Sequence, residues 1–300
     1  MKVLVTGGAG FIGSNLVDKL IENGNEVHVI DNFISGKKEN CNKKAFYHEL
    51  DISNTKNLSK INNILEEVDT VFHCAALARV QPSIDKPLEY EINNTIGIIN
   101  MLKCSADMKV NRFIYSASSS AYGPTNKLPS IETDSINPIS PYANQKYYGE
   151  LCCKMFSKVY GLETVSLRYF NVYGERQNLG GAYATVVGIF LSQYINKKPL
   201  TINGNGNQRR DFTYVGDVVQ ANILASKSKK VGKGEIINIG SGKNISVNDL
   251  AELIGGEKIY NPPVNEPFAN LADIKLAKDL LSWSPKVELA DWIKSKKIKL

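Results

Sequence analysis

Thr6-Gly7-Gly8-Ala9-Gly10-Phe11-Ile12-Gly13 is the stretch on which the fold turns. It follows the apolar run Val3-Leu4-Val5 and opens a segment in which Ile12, Leu16, Leu20 and Ile21 fall at helical spacing. Each glycine has a physical use in a strand-to-helix turn that binds a dinucleotide. Gly7 permits the tight turn, Gly10 lets the backbone approach a pyrophosphate, and Gly13 lets helix and strand pack closely. The phosphates then rest at the helix N-terminus, where free N–H groups and the helix dipole favour anions. The spacing, GxxGxxG, is one residue longer than the GxGxxG fingerprint, and any tight turn can use glycines, so a second mark is needed. Asp31 supplies it, 18 residues beyond Gly13 at the end of the next β-rich run. A carboxylate there accepts hydrogen bonds from the adenosine ribose and repels a 2′-phosphate, which selects NAD over NADP.

Outward from that loop, short β-rich runs alternate with amphipathic stretches. Residues 2–6, 26–30, 45–49, 69–73, 112–116 and 163–168 read as strands, and 12–23, 55–66, 88–108 and 141–161 as helices. Without tight hairpin signals, that alternation predicts an α/β fold: a Rossmann-type doubly wound parallel sheet. After residue 174 the texture changes. Gly180-Gly181, Gly204, Gly206, Gly240, Gly242 and Pro262-Pro263 cut the chain into shorter pieces. The expected division is a dinucleotide-binding unit over 1–174 and a smaller C-terminal substrate-binding lobe over 175–300, with a soft boundary because strands of both halves can enter one sheet.

Three hundred residues, 43% hydrophobic and 22% charged, exclude a disordered or fibrous chain. No run approaches the roughly 20 apolar residues that span a bilayer, and the basic-then-apolar start meets a glycine turn rather than a cleavage site. A net charge of +6 suits anionic small ligands and is too weak and dispersed to argue for nucleic acid. The basic run Lys294, Lys296, Lys297 and Lys299 reads as a solvated tail. Five cysteines with no CxxC pair and three scattered histidines point to reduced cytoplasmic thiols and to no metal site.

Tyr142 and Lys146 are four apart on a helix that starts after Pro138 and Pro141, so both lie on one face. A phenol of pKa near 10 is no base at neutral pH, but a nearby ammonium and a cationic nicotinamide ring favour phenolate. A Tyr-xxx-Lys pair is common by chance. The run Tyr115-Ser116-Ala117-Ser118-Ser119-Ser120-Ala121-Tyr122-Gly123 strengthens it, because it closes the fifth strand and brings hydroxyls to the same sheet edge. His73 ends the fourth strand and reads as packing rather than as a base.

With these motifs in place the chain resembles an extended short-chain dehydrogenase/reductase of the NAD-dependent nucleotide-sugar epimerase/dehydratase family, and most closely its UDP-sugar 4-epimerases. The similarity covers roughly residues 1–285. It implies NAD contacts from Gly7, Gly10, Phe11, Ile12, Gly13, Asp31, Asn32, Asp51 and Ile52. Ala75 and Ala76 line the cofactor channel and Asn94 supports it. Ser118, Tyr142 and Lys146 are implied as catalytic, with Tyr142 the base and Lys146 also holding the nicotinamide ribose. Tyr169 and Phe170 are placed beside the nicotinamide. The substrate side comprises Ser83, Ser118, Asn171, Arg210 and Asn270, with Asn171 and Arg210 on the diphosphate. A homodimer built from the helices at 88–108 and 141–161 is also implied.

Two departures bear on the substrate. After Pro262-Pro263 the family usually carries an arginine for the diphosphate, where this chain has Val264-Asn265-Glu266; and the usual Arg-His-Ser is Phe268-Ala269-Asn270. The first implies weaker UDP binding, a contact relocated to Arg209, or a different nucleotide. The second places a small residue, Asn270, where a tyrosine confines related enzymes to glucose and galactose, so the N-acetylated pair is expected to fit as well. Asn270 as a helix cap is the plain alternative. Related 4,6-dehydratases carry Asp-Glu after the catalytic threonine, and decarboxylases often a glutamate. Ser119-Ser120-Ala121 has no carboxylate there, which favours epimerisation over both, and the intact Ser118, Tyr142 and Lys146 argue against a regulator that kept only the fold.

Overall fold

The computed structural model describes residues 1–125, 127–181, 184–264 and 266–297; Asn265 and Lys299 lie outside the described residues. The expected strands form as β1 (Lys2–Thr6), β2 (Glu26–Asp31), β3 (Phe46–Glu49), β4 (Thr70–His73), β5 (Arg112–Ser118) and β6 (Glu163–Tyr169). With the edge strand Lys233–Ile239 they make a seven-stranded sheet among the described residues, in the order Lys233–Ile239, β6, β5, β4, β1, β2, β3. Every pairing is parallel. Strand order reverses between β1 and β4, where Thr6 lies opposite His73. In open α/β sheets the crevice beyond the carboxyl ends at such a switch point is the ligand site.

Helices cover both faces. On one, Leu16, Val17 and Leu20 of helix Phe11–Glu22 pack with Val218 and Val219 of helix Val215–Lys227 and with Trp283. On the other, Ile61 and Leu65 meet Ile98, Met101 and Leu102 and then Cys152, Cys153 and Phe156 of helix Pro141–Tyr160. The chain thus returns to the sheet after residue 200, giving it one strand and a covering helix. A separate core unites Phe190, Leu191, Leu200, Ile202, Leu250, Ile254 and Trp292.

Three local features differ from simple periodicity. The helix expected at 88–108 is interrupted by a π turn, Ile92–Ile96, between Pro87–Glu91 and Gly97–Asp107. Such single turns insert a residue and re-aim a side chain, here the buried Asn94. A short helix, Val80–Asp85, occupies a stretch that carries no clear period. Helix Pro141–Tyr160 starts on Ser140, whose Oγ accepts from Ala143 N–H at 3.2 Å, with Pro141 in the first turn and Gly161 closing the end at φ 71°.

Candidate active site

A cleft opens over the carboxyl ends of β1 and β4. Gly7, Gly10, Phe11, Ile12 and Gly13 form one wall, and Asp31, Asn32 and Ile52 another. Ala75, Ala76, Tyr142, Lys146 and Tyr169 line the rest, with Cys74, Ala117 and Arg79 beside them. The glycines are required in different ways. Gly7 has φ +71°, and a Cβ on it would come within 2.7 Å of the Ala75 backbone. A Cβ on Gly13 would lie 2.2 Å from the Gly7 carbonyl oxygen, so nothing larger fits under the turn. No side chain caps the following helix and its first turn holds no acidic residue. Its terminal N–H groups are therefore suited to an anion, and the cradle fits a dinucleotide pyrophosphate.

Asp31 is buried, with Oδ2 accepting from Ala9 N–H at 2.9 Å and Oδ1 from Phe33 N–H at 2.8 Å. The carboxylate thus fixes the glycine turn as well as standing at the cleft. Asp51 and Asn94 do not line it. Asp51 turns to Ser53, accepting from its N–H at 2.8 Å and its hydroxyl at 2.7 Å. Asn94 accepts from Leu77 N–H at 2.8 Å and donates to Leu77 O at 3.0 Å and to Gln145 Oε1 at 2.9 Å. It acts as a clamp on the cleft wall.

The catalytic candidates do meet. Tyr142 and Lys146 share the cleft, and the Ser118 hydroxyl interacts with the Tyr142 phenol. The electrostatics correct the sequence reading. Burial pushes the Tyr142 phenol up; the Ser118 hydroxyl and then the Arg79 guanidinium pull it back. Lys146 instead donates Nζ to Ser116 O at 2.7 Å, and Nζ stands 5.0 Å from the centroid of the Tyr115 ring. Burial lowers its own pKa to about 8, against the pull of the Cys74, Glu150 and Cys153 groups. The helical i, i+4 spacing places both groups on one face, but it says nothing about which carbonyl the ammonium finds. Tyr169 reaches the cleft with its hydroxyl held by Ser116 Oγ at 3.2 Å and Asn222 Nδ2 at 2.8 Å. Phe170 does not; it is buried against Tyr122 and Ala272. His73 packs on Phe113 and Tyr115, with burial pushing its pKa down to about 3.

The proposed substrate residues divide. Ser83 is fully buried, donating to Val80 O at 2.6 Å and accepting from Tyr142 N–H at 3.2 Å, so it steadies the Tyr142 backbone rather than facing a ligand. Asn171 and Asn270 pair with each other: Asn171 Nδ2 donates to Asn270 Oδ1 at 3.1 Å, and Asp211 N–H donates to the same oxygen at 2.8 Å. Asn270 caps no helix, since the next one begins at Lys275. Arg210 is ion-paired with Glu266 at 2.8 Å, and Arg209 holds Asn244 through Oδ1 and the carbonyl, both at 2.9 Å. Beside them lies a surface depression lined by Asn203, Gln208, Tyr260, Glu266 and Phe268. Sequence reasoning missed Asp211, which is buried and accepts from Ser241 N–H and Oγ, Gly242 N–H and Ala272 N–H at 2.6–3.1 Å. It missed Arg79 too, whose placement carries no local signal.

A doubly wound sheet with a Ser–Tyr–Lys group at the mouth of a dinucleotide cleft defines an NAD-linked short-chain dehydrogenase/reductase-type site. The chain belongs to the NAD dependent epimerase/dehydratase family, whose model matches residues 3–240. It is 42% identical to a putative UDP-glucose 4-epimerase of Methanocaldococcus jannaschii, over 97% of this chain and 96% of that one. Among solved structures it superposes on UDP-glucose 4-epimerase from Thermotoga maritima with UDP-glucose at a TM-score of 0.94 and 40% identity, covering 100% of both chains. It also matches UDP-N-acetylglucosamine 4-epimerase from Methanobrevibacter ruminantium, in complex with UDP-N-acetylmuramic acid. There the TM-score is 0.91 and the identity 36%, over 100% of this chain and 99% of that one.

Proposed function

We propose that the protein interconverts a UDP-sugar and its C4 epimer with NAD as cofactor, taking glucose and galactose and also the N-acetylated pair. The observation that carries this is that Tyr142 and Lys146 line the glycine-walled cleft, with the Ser118 hydroxyl hydrogen-bonded to the Tyr142 phenol. Gly7, Gly10 and Gly13 hold the pyrophosphate of NAD, Asp31 its adenosine ribose and Lys146 its nicotinamide ribose. NAD bound there would supply a reversible hydride acceptor for the C4 hydrogen. Tyr142 as phenolate removes the 4-hydroxyl proton, and Ser118 steadies the same oxygen by hydrogen bonding. The 4-keto sugar turns over about a diphosphate held at Arg210 and Asn171, and Tyr142 gives the proton back. The nucleotide extends into the depression beside Glu266 and Tyr260. Elimination of water or carbon dioxide lacks its acid–base pair, since Ser119, Ser120 and Ala121 follow Ser118.

The same reading places the enzyme in the cytoplasm as a homodimer. All five cysteines are free thiols. Leu88, Ile92 and Ile96 on one helical stretch and Leu151, Met155 and Val159 on the catalytic helix are exposed at four-residue spacing. Two such faces suit a four-helix packing between two copies. No helix among the described residues is long and apolar enough to cross a membrane. The test is to incubate purified protein with UDP-glucose and UDP-N-acetylglucosamine, each separately, and to follow C4 configuration by NMR. Appearance of the galacto epimers is expected; a dehydrated or decarboxylated product, or none, rejects the reading. A monomeric mass at micromolar concentration rejects the dimer.

A further inference from the structure

The Tyr142 phenol has a cationic neighbour that the Tyr-xxx-Lys spacing does not reveal. Arg79 lies on the loop between β4 and helix Val80–Asp85 and lines the same cleft as Tyr142. Its backbone is at φ 92°, ψ 144°, a conformation that favours glycine and that other residues hold only when their surroundings impose it. The surroundings here are identifiable. Asn94 grips Leu77 through both its N–H and its carbonyl, and Tyr90 donates its hydroxyl to Ala78 O at 2.6 Å. Asn94 is in turn bonded to Gln145, three residues after Tyr142 on the catalytic helix. On the other side of Arg79, the Ser83 hydroxyl takes the N–H of Tyr142 itself. The segment carrying Arg79 is thereby tied at both ends to the helix carrying the base.

We propose that Arg79 is a positioning residue for the epimerisation, its guanidinium held beside Tyr142 by the Asn94 and Ser83 clamps as the fixed positive charge against which the phenolate forms. The inference rests on the epimerase reading and names how its base is poised. In the step it assists, the O–H bond of the sugar 4-hydroxyl breaks and a new O–H bond forms on the Tyr142 oxygen. The groups facing Tyr142 are Ser118 and Tyr115 from β5, Lys146 from its own helix and Arg79 from the loop, with Tyr90 facing Arg79. Ser118 is neutral, and burial keeps Tyr115 protonated. Lys146 titrates near 8 and gives a hydrogen bond to Ser116 O. A guanidinium stays charged from about pH 6 to 9, so Arg79 alone of these supplies an unvarying charge. Burial lowers the Arg79 guanidinium below its ordinary value and raises the Tyr142 phenol; the attraction between the two groups opposes both shifts.

The experiment compares wild type, Arg79→Met, Arg79→Gly and Arg79→Lys, all loaded with NAD. Two quantities are read: the Tyr142 phenolate absorbance against pH, as a difference from Tyr142→Phe, and kcat for UDP-glucose against pH. Removal of the charge should move the phenol titration and the acid limb of kcat upward by about one unit, a roughly tenfold loss of turnover on that limb. Arg79→Lys should restore most of the shift. Arg79→Gly should melt no lower than wild type, because glycine accepts φ 92° freely, while showing the same shift; this separates poise from folding. An unmoved limb in folded Arg79→Met and Arg79→Gly overturns the proposal. So does an Arg79→Lys as shifted as Arg79→Met, or a loss of NAD affinity with no change in the phenol. If the wild type fails to epimerise UDP-glucose, the functional reading falls, and the phenol titration still decides the role of Arg79.

Discussion

Replacing Arg168 by methionine tests the device that holds the three catalytic elements together. Arg168 precedes Tyr169 in β6, Glu150 follows Lys146 by one helical turn, and Tyr122 closes the loop after Ser118. Arg168 Nε and Nη2 donate to the two Glu150 oxygens at 2.7 and 2.6 Å, with side-chain exposures of 1% and 0%. The guanidinium also lies 4.6 Å from the centroid of the Tyr122 ring. Methionine fills much of the arginine volume but leaves Glu150 as an unpaired carboxylate in a dry interior. Removing one partner of such a pair costs about 3–5 kcal/mol, whereas removing both is often neutral. At ~2 °C per kcal/mol for a chain of this size, the melting point should fall by roughly 6–10 °C at pH 7. The pH dependence has a definite sign. Burial already raises the Glu150 carboxyl, with Arg168 pulling it back; without Arg168 it rises further. A folded-state pKa above the unfolded value, about 4.3, means that protons bind the folded form more tightly. The deficit is therefore present above the folded pKa and shrinks as pH falls through it. Calorimetry at pH 7 and pH 5 on Arg168→Met and on the double variant Arg168→Met, Glu150→Met measures this. A single variant within about 1 kcal/mol of wild type, a deficit independent of pH, or a double variant as weak as the single would refute the reasoning.

Three further outcomes follow from the cleft. Tyr142→Phe should lower turnover by the ~10²–10⁴ typical of lost acid–base catalysis while NAD stays bound, as read by cofactor fluorescence; near-wild-type turnover rejects Tyr142 as base. Asp31→Ala should weaken NAD and narrow the preference over NADP in equilibrium binding, since the repelling carboxylate goes and the Ala9 and Phe33 N–H groups lose their acceptor; an unchanged preference reduces Asp31 to a turn anchor. Asn270→Tyr should suppress epimerisation of UDP-N-acetylglucosamine far more than that of UDP-glucose. Equal losses would mean that the bonds to Asn171 and Asp211 account for the whole effect.

What could be read from the sequence, and what could not, separates along one physical line. The glycine turn, the alternation of strand and helix and the Tyr142–Lys146 spacing are encoded within a few residues, because sterics at Gly13, a 3.6-residue period and an i, i+4 step are local constraints. The parallel, doubly wound sheet followed from them, since such crossovers leave few topologies, but its strand order did not. Residues matched one at a time fared unevenly. Phe170 and Ser83 sit in the right segments yet are buried away from the cleft, because neighbouring positions on a strand or helix end face opposite ways. Asn94, expected to support the cofactor side, does not line the cleft; it grips Leu77 and Gln145, partners 17 and 51 residues away.

The electrostatics of the site were the least legible part, and the two arginines explain why. A sequence gives the charge of each side chain and hides the company it keeps. Arg210 looked like a free diphosphate ligand, with a missing second arginine as the anomaly; folded, it carries an ion pair to Glu266, 56 residues on, inside the very segment that departs from the family pattern. A diphosphate arriving there meets a cation already neutralised, so its contact energy is the difference between two ion pairs rather than the gain of one. Arg79 is the converse. It falls in a stretch with no motif at all, yet its charge acts on the Tyr142 phenol, while Lys146, which the motif singles out, donates a hydrogen bond to the Ser116 carbonyl. The charge state around Arg210 and around Tyr142 thus depends on pairings between distant segments, which local spacing does not encode.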